Sequence, residues 1–195
     1  MAPSPSDLSY RRGLSPPSRQ RWSFRRRAYL SGMKLFTIGY EGAPQAEVIA
    51  QLQAAGVRRL IDVRAVAASR RAGFSKTILA SSLAEAGIDY VHLRALGTPK
   101  AGRDAARKGR LEDMRAIFAE HLDGPEAISA FERLRALVKS APSALLCFEA
   151  DPGGCHRAVL AERLAAETGA EIVNLAPCSA AGDQASRRTL GSRSH

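Results

Sequence analysis

"ALLCFEADPGGCHRAVLAERL" (residues 144–164) opens as a buried strand and closes as a helix. Ala144 to Phe148 is a short apolar run of the kind found in strands covered on both faces. Asp151-Pro152-Gly153-Gly154 supplies a tight turn of permissive backbone. "CHRAVLAERLAAETG" (155–169) then reads as a helix stopped by Gly169. A buried strand feeding a helix through a short turn is half of a β-α-β unit, so the rest of the chain is read for the same alternation.

The alternation is there. "KLFTIGY" (34–40), "RRLIDVR" (58–64), "IDYVHLR" (88–94), "SALLCFEA" (143–150) and "AEIVNL" (170–175) read as strands. "PQAEVIAQLQAAG" (44–56) and "SKTILASSLAEAG" (75–87) read as helices closed by Gly56 and Gly87, and Ser75 is a natural N-cap. "LEDMRAIFAEHL" (111–122) and "PEAISAFERLRALVKS" (125–140) are two more, split by Asp123-Gly124-Pro125. "GTPKAGRDAARKGR" (97–110) reads as a cationic loop with five basic residues against Asp104. The expected fold is α/β: a single three-layer domain, a mostly parallel sheet of about five strands, and helices on both faces.

The chain has 195 residues, enough for one domain with a real core. Its formal net charge of +10 is unevenly spread. Residues 1–32 hold seven Arg against one Asp, whereas residues 33–175 are close to balanced. Residues 1–32 and 176–195 therefore read as disordered, Arg- and Ser-rich flanks of a domain spanning 33–175. Met33 begins "MKLFTIGYEG" and reads as a start, which would make residues 1–32 an upstream extension. The arm has no apolar core of a secretory signal, and no apolar run reaches membrane-spanning length. Cys147, Cys155 and Cys178 form no disulfide-scaffold pattern, so reduced thiols in a cytoplasm are expected.

In an open parallel sheet, ligands bind outside the carboxyl ends of the strands. The unusual polar residues all fall there: Gly39-Tyr40-Glu41-Gly42, Asp62-Val63-Arg64, His92-Leu93-Arg94, and Cys147-Phe148-Glu149 with Cys155-His156-Arg157. Each has a structural alternative. Asp62 and Arg64 suit an internal ion pair, Gly39 and Gly42 suit turns, His92 suits a satisfied core histidine, and Cys147 suits an inert core thiol. Glu149, at the end of an apolar strand, is expected to be either desolvated with a raised pKa or held by an arginine. A helix starting near Cys155 would offer free N–H groups to an anion and lower the Cys155 pKa. Arg157 then either binds that anion or locks onto Glu149 or Asp62. Zinc on Cys147, Glu149, Cys155 and His156 is set aside, because the Cys-x7-Cys-His spacing matches no common zinc motif. No metal site is therefore expected, and no cofactor is identified.

"FTIGYEG" (36–42), "LIDVRAVAASRRAGF" (60–74), "YVHLRALG" (90–97) and "LLCFEADPGGCHRAVLAERL" (145–164) together resemble the DUF488 family, small microbial α/β proteins with no assigned reaction. The resemblance implies that Tyr40, Asp62, Arg64, Ser69, Arg70, Phe74, Gly97, Cys147, Glu149, Cys155, His156 and Arg157 occupy the family's motif positions. Val66 and Ala67 stand where that family commonly has a proline. "LIDVR" is also similar to a strand of rhodanese-like sulfurtransferases, whose catalytic Cys heads a loop closed by an Arg about five residues on. Here Arg157 lies two residues beyond Cys155, so the likeness is one of layout only.

The expectation is a rim pocket for an anionic, phosphate-bearing ligand, a small molecule or nucleic acid. Arg64 and Arg157 would anchor it, with Tyr40, Ser69, Arg70, Phe74, Gly97 and His156 around it. Glu149, Cys155 and Asp62 would carry any chemistry, with Glu149 as acid or base. A non-catalytic nucleotide sensor and a thiol-dependent sulfurtransferase using Cys155 are the alternatives. No membrane partner is expected.

Overall fold

The structure is a computed structural model that describes residues 32–177. The Arg-rich arm up to residue 31, the tail from 178 and Cys178 lie outside the described residues. The elements run β1 (Lys34–Gly39), α1 (Gln45–Ala54), β2 (Arg59–Asp62), α2 (Lys76–Glu85), β3 (Asp89–His92), α3 (Lys100–Arg107), α4 (Leu111–Leu122), α5 (Pro125–Ser140), β4 (Ser143–Cys147), α6 (His156–Thr168) and β5 (Glu171–Leu175). Short 3-10 turns lie at Arg94–Leu96 and Pro152–Gly154.

All five strands are parallel, in the order β3-β2-β4-β1-β5. β4 is central, and all five of its residues are buried, which is why it reads as an unbroken apolar run. Side chains alternate across a strand, and the alternation sorts the core. Phe36, Ile38, Leu60, Ala144 and Leu146 pack with Val48 and Leu52 of α1 and Leu79 and Leu83 of α2. Thr37, Ile61, Leu145 and Cys147 therefore face the other side. There α6 packs on β1, β4 and β5. The result is a three-layer α/β domain with helices on both faces, as the strand-helix alternation predicts.

The connections explain why the rim near β4 is the place for a site. From β1 the chain crosses by α1 to β2, and from β4 it crosses by α6 to β5, in the opposite sense. Right-handed crossovers put these helices on opposite faces. The chain thus diverges at the carboxyl end of β4, a topological switch point.

Two differences from the sequence reading matter. β4 stops at Cys147, so Glu149 lies in the following loop and not at a strand end. The stretch 97–110 is not a loop; it contains helix α3. Only Gly102 and Ala105 of α3 are buried, so no apolar stripe advertised it. It packs against α4 at Gly102, where a Cβ would sit 3.6 Å from Ile117 Cγ2 of α4 and only 2.6 Å from Thr98 Cγ2 of the preceding turn. Among the described residues no helix is long and apolar enough to cross a membrane.

Candidate functional site

The polar residues at the rim form two assemblies, one on each side of the sheet, and a separate cationic cleft. On the α1/α2 side, Asp62 ends β2 and is fully buried. Its carboxylate takes the Arg64 guanidinium side-on, Nε at 2.9 Å and Nη2 at 2.6 Å, and the Arg64 backbone N–H at 3.0 Å. Arg64 also donates to Tyr40 Oη (2.7 Å) and to the Phe74 carbonyl (3.0 Å), while Tyr90 Oη donates to Asp62 Oδ2 (2.6 Å). Tyr40 stacks on Phe74 with ring centroids 4.1 Å apart. Burial by itself would lower the Arg64 pKa, but Asp62 and Tyr40 outweigh it and hold the guanidinium charged. Of the two roles open to Asp62 and Arg64, the geometry is that of an internal ion pair with its donors committed inside the fold. Tyr90 was not singled out by the sequence. Its Leu60 register partner and the alternation along β2 place it beside Asp62, a signal that needs the strand pairing.

Nearby positions of the same loop do less. Ser69 Oγ accepts the Arg71 backbone N–H at 3.1 Å, closing a local turn. Arg70 is exposed. Gly97 is a contact requirement, because a Cβ there would lie 2.0 Å from the Ala65 backbone nitrogen. His92 donates from Nε2 to the Arg64 carbonyl, 2.8 Å away, as a satisfied core histidine does.

On the other side stand Cys147, Glu149, Cys155 and His156. One ligating atom from each lies within 4.8 Å of the others. Cys147 Sγ and Cys155 Sγ donate to Glu149 Oε2 at 2.6 and 3.1 Å. His156 Nδ1 lies 3.5 Å from Cys147 Sγ and 3.8 Å from Cys155 Sγ. Its Nε2 is 2.9 Å from the Val63 carbonyl. A carbonyl only accepts, so Nε2 carries a hydrogen. The cysteines and His156 are buried, and half-buried Glu149 is the opening to solvent.

The electrostatics differ from the expectation. Burial pushes the Cys155 thiol well up, and neighbouring Cys147 adds to it, so the net shift is upward and not downward. Burial also pushes Glu149 up, but hydrogen bonds from Cys147, its own backbone N–H and Cys155 more than offset this, so its carboxyl lies below its usual range. Glu149 is thus neither raised nor held by an arginine; thiols hold it. Burial lowers His156, yet Cys155, the Val63 carbonyl and Glu149 together leave it raised.

Cys155 is the N-cap of α6, and its sulfur accepts the Arg157 backbone N–H at 3.4 Å. Arg157 is 1% exposed. Its guanidinium binds the Glu149 carbonyl, the Ala150 carbonyl (3.0 Å) and Thr37 Oγ1 (3.3 Å). Arg157 therefore clamps the backbone of the loop that carries Glu149 and pairs with neither the Glu149 carboxylate nor Asp62. The clamp has a counterpart in Gly39, where a Cβ would sit 1.8 Å from the Glu149 carbonyl oxygen. Among the described residues no side chain of the Arg157 cluster hydrogen-bonds a side chain of the Arg64 cluster; the sheet lies between them.

The cleft is elsewhere on the same rim. It has a volume of about 560 Å³ and lies between the Ala65-Val66 loop, the turn after β3, α3 and α4. Arg94, Lys100, Arg103 and His121 line it, against one acid, Glu126. Phe118 packs edge-on against His156 and stacks on His121, so it separates the thiol cluster from the cleft. Neither Arg64 nor Arg157 lines it. Arg94, Lys100 and Arg103 were visible in sequence only as part of basic stretches; the fold folds them over one cavity.

No curated protein and no solved structure matches the chain. The family model described as "Domain of unknown function DUF488" matches residues 44–164, from α1 into α6 and well over half of the chain. That span holds Asp62, Arg64, the cleft and the whole thiol cluster, and the five-stranded parallel sheet agrees with it; the chain belongs to the DUF488 family.

Proposed function

We propose that this protein binds a phosphate-bearing anion of nucleotide size in the cleft lined by Arg94, Lys100, Arg103 and His121. The observation that carries the reading is the charge of a cavity of this size: three cationic side chains and a histidine face about 560 Å³ of space, with Glu126 the one acid among the described lining residues. Cavities of roughly 300–1,000 Å³ suit small-molecule ligands. Lys100 and Arg103 come from the first turn of α3, where the helix dipole adds to their attraction for an anion. Arg94 follows β3 directly, so the site lies where open α/β sheets bind their ligands. Glu149 faces the thiols and not the cleft, which supports a binding role for the cleft over hydrolysis by Glu149. The buried, upshifted Cys155 likewise does not favour sulfur transfer.

Pyrophosphate is the test ligand. It should raise the melting temperature of the full chain, and the rise should shrink as salt is added. Arg94 and Lys100 are exposed, so Arg94→Ala and Lys100→Ala should leave the ligand-free protein intact. Each should weaken pyrophosphate roughly tenfold or more, the loss of one charge-assisted hydrogen bond of about 1.5–3 kcal/mol. Unchanged affinity in both variants, or no stabilisation of the wild type, refutes the reading. Tight binding of a single-stranded oligonucleotide with no response to pyrophosphate refutes the small-molecule reading in favour of a polymer.

A further inference from the structure

We propose that Cys147, Glu149, Cys155 and His156 bind a thiophilic divalent metal ion, Zn2+ in type, in a site distinct from the cationic cleft. The donor set is two sulfurs, one imidazole nitrogen and one carboxylate oxygen, all within 4.8 Å of one another. Thiolates with imidazole select zinc-like ions over magnesium or calcium.

The imidazole–sulfur distances fit a tetrahedral ion. Zn–S of about 2.3 Å and Zn–N of about 2.0–2.1 Å place sulfur and nitrogen ligands about 3.6 Å apart at tetrahedral angles. His156 Nδ1 stands 3.5 and 3.8 Å from the two sulfurs. The supporting groups fit as well. A metal-bound histidine usually donates its other ring N–H to a carbonyl or carboxylate, which fixes ring and tautomer. Here His156 Nε2 is committed to the Val63 carbonyl at 2.9 Å, so in the neutral ring the free lone pair is on Nδ1, the nitrogen nearer the sulfurs. The Arg157 backbone N–H donates to Cys155 Sγ, an interaction that favours a thiolate. Arg157 fixes the Glu149 backbone, and Phe118 packs on the imidazole edge-on. Ligands come from the end of β4, the following loop, the N-cap of α6 and its first residue, with the Glu149 backbone and the imidazole braced before an ion arrives.

Two adjustments accompany binding. Cys147 Sγ is also 3.9 Å from His156 Nε2, so it stands over the ring and must swing toward the Nδ1 edge. The contacts of Glu149 Oε2 with the sulfurs, 2.6 and 3.1 Å, open as the ion enters between them. Two thiol protons leave to solvent as two metal–sulfur bonds form, and no electron is transferred. Half-buried Glu149 marks the entry side.

The test uses the full chain, reduced and stripped by a chelator under nitrogen, and titrated with Co2+. One equivalent should bind, with a thiolate-to-cobalt charge-transfer band in the near ultraviolet and the intense visible bands of tetrahedral cobalt. One equivalent of Zn2+ should bleach both and raise the melting temperature. Cys155→Ser should lose part of the charge-transfer band. Glu149→Gln, at a half-buried position, should fold, keep that band and bind Zn2+ roughly tenfold or more weakly. Cys178→Ser should change nothing. A wild type that shows no charge-transfer band, or a Glu149→Gln protein of unaltered Zn2+ affinity, overturns the four-ligand site. So does a Cys178→Ser protein that loses the band. Because Arg94→Ala and Lys100→Ala should leave cobalt binding intact, failure of the cleft reading and failure of this one are told apart.

Discussion

Replacing Arg157 tests the clamp that holds the loop after β4. The side chain is 1% exposed and enters no ion pair among the described residues. Its donors go to the carbonyls of Glu149 and Ala150 and to Thr37 Oγ1. In Arg157→Ala these acceptors fare differently. Ala150 is exposed, and water can take up its carbonyl. The Glu149 carbonyl is pressed against Gly39, with no room for a water on that side. An orphaned buried acceptor costs about 1–3 kcal/mol, and the two lesser bonds about 1 kcal/mol each, so the loss should be about 3–5 kcal/mol. At about 2–4 °C per kcal/mol for a chain of this size, the melting temperature should fall by about 6–20 °C. Thermal and urea unfolding of the ligand-free protein at neutral pH measure this. Arg157→Met keeps the apolar stem without the donors and should resemble the alanine variant; Arg157→Lys should lie between. A ligand-free Arg157→Ala protein melting within about 2 °C of wild type, with its response to pyrophosphate gone, would refute the clamp. It would return Arg157 to the role of an anion anchor.

On the other face, Asp62→Asn should destabilise by about 3–5 kcal/mol, because it leaves a buried guanidinium without its counter-charge; urea unfolding checks this, and a loss under about 1 kcal/mol contradicts the internal pair. Tyr90 gives a pH signature. Burial first, and then the Asp62 carboxylate, raise its pKa above the unfolded value of 10.0. The neutral phenol is the form the fold prefers, so its contribution is complete below about pH 10 and declines as pH rises through the folded value. Tyr90→Phe should therefore lose less stability than wild type between pH 9 and pH 11; parallel alkaline slopes would show that Tyr90 does not titrate as described.

The sheet, its parallel sense and most helix boundaries are legible in the order of residues alone. Apolar runs such as Leu145-Leu146, the spacing of Val48, Ile49 and Leu52, and the glycines at helix ends are local signals, and local signals survive without tertiary contacts. The sequence also placed the unusual polar residues at the carboxyl rim. α3 was missed because its buried side consists of Gly102 and Ala105, which leave no apolar period to read. Which polar groups meet is settled by the folded chain. Strand alternation sends Asp62 and Cys147 to opposite faces, so Arg64 and Arg157 cannot share a ligand as a linear reading allows. The Cys-x7-Cys-His spacing looks unlike a metal motif because it counts residues along the chain. The turn at Pro152–Gly154 brings Cys155 and His156 back over the end of β4, within reach of Cys147 and Glu149. Distance in space between groups on separate elements depends on the turn and on strand pairing, and neither is written in the spacing of the residues themselves.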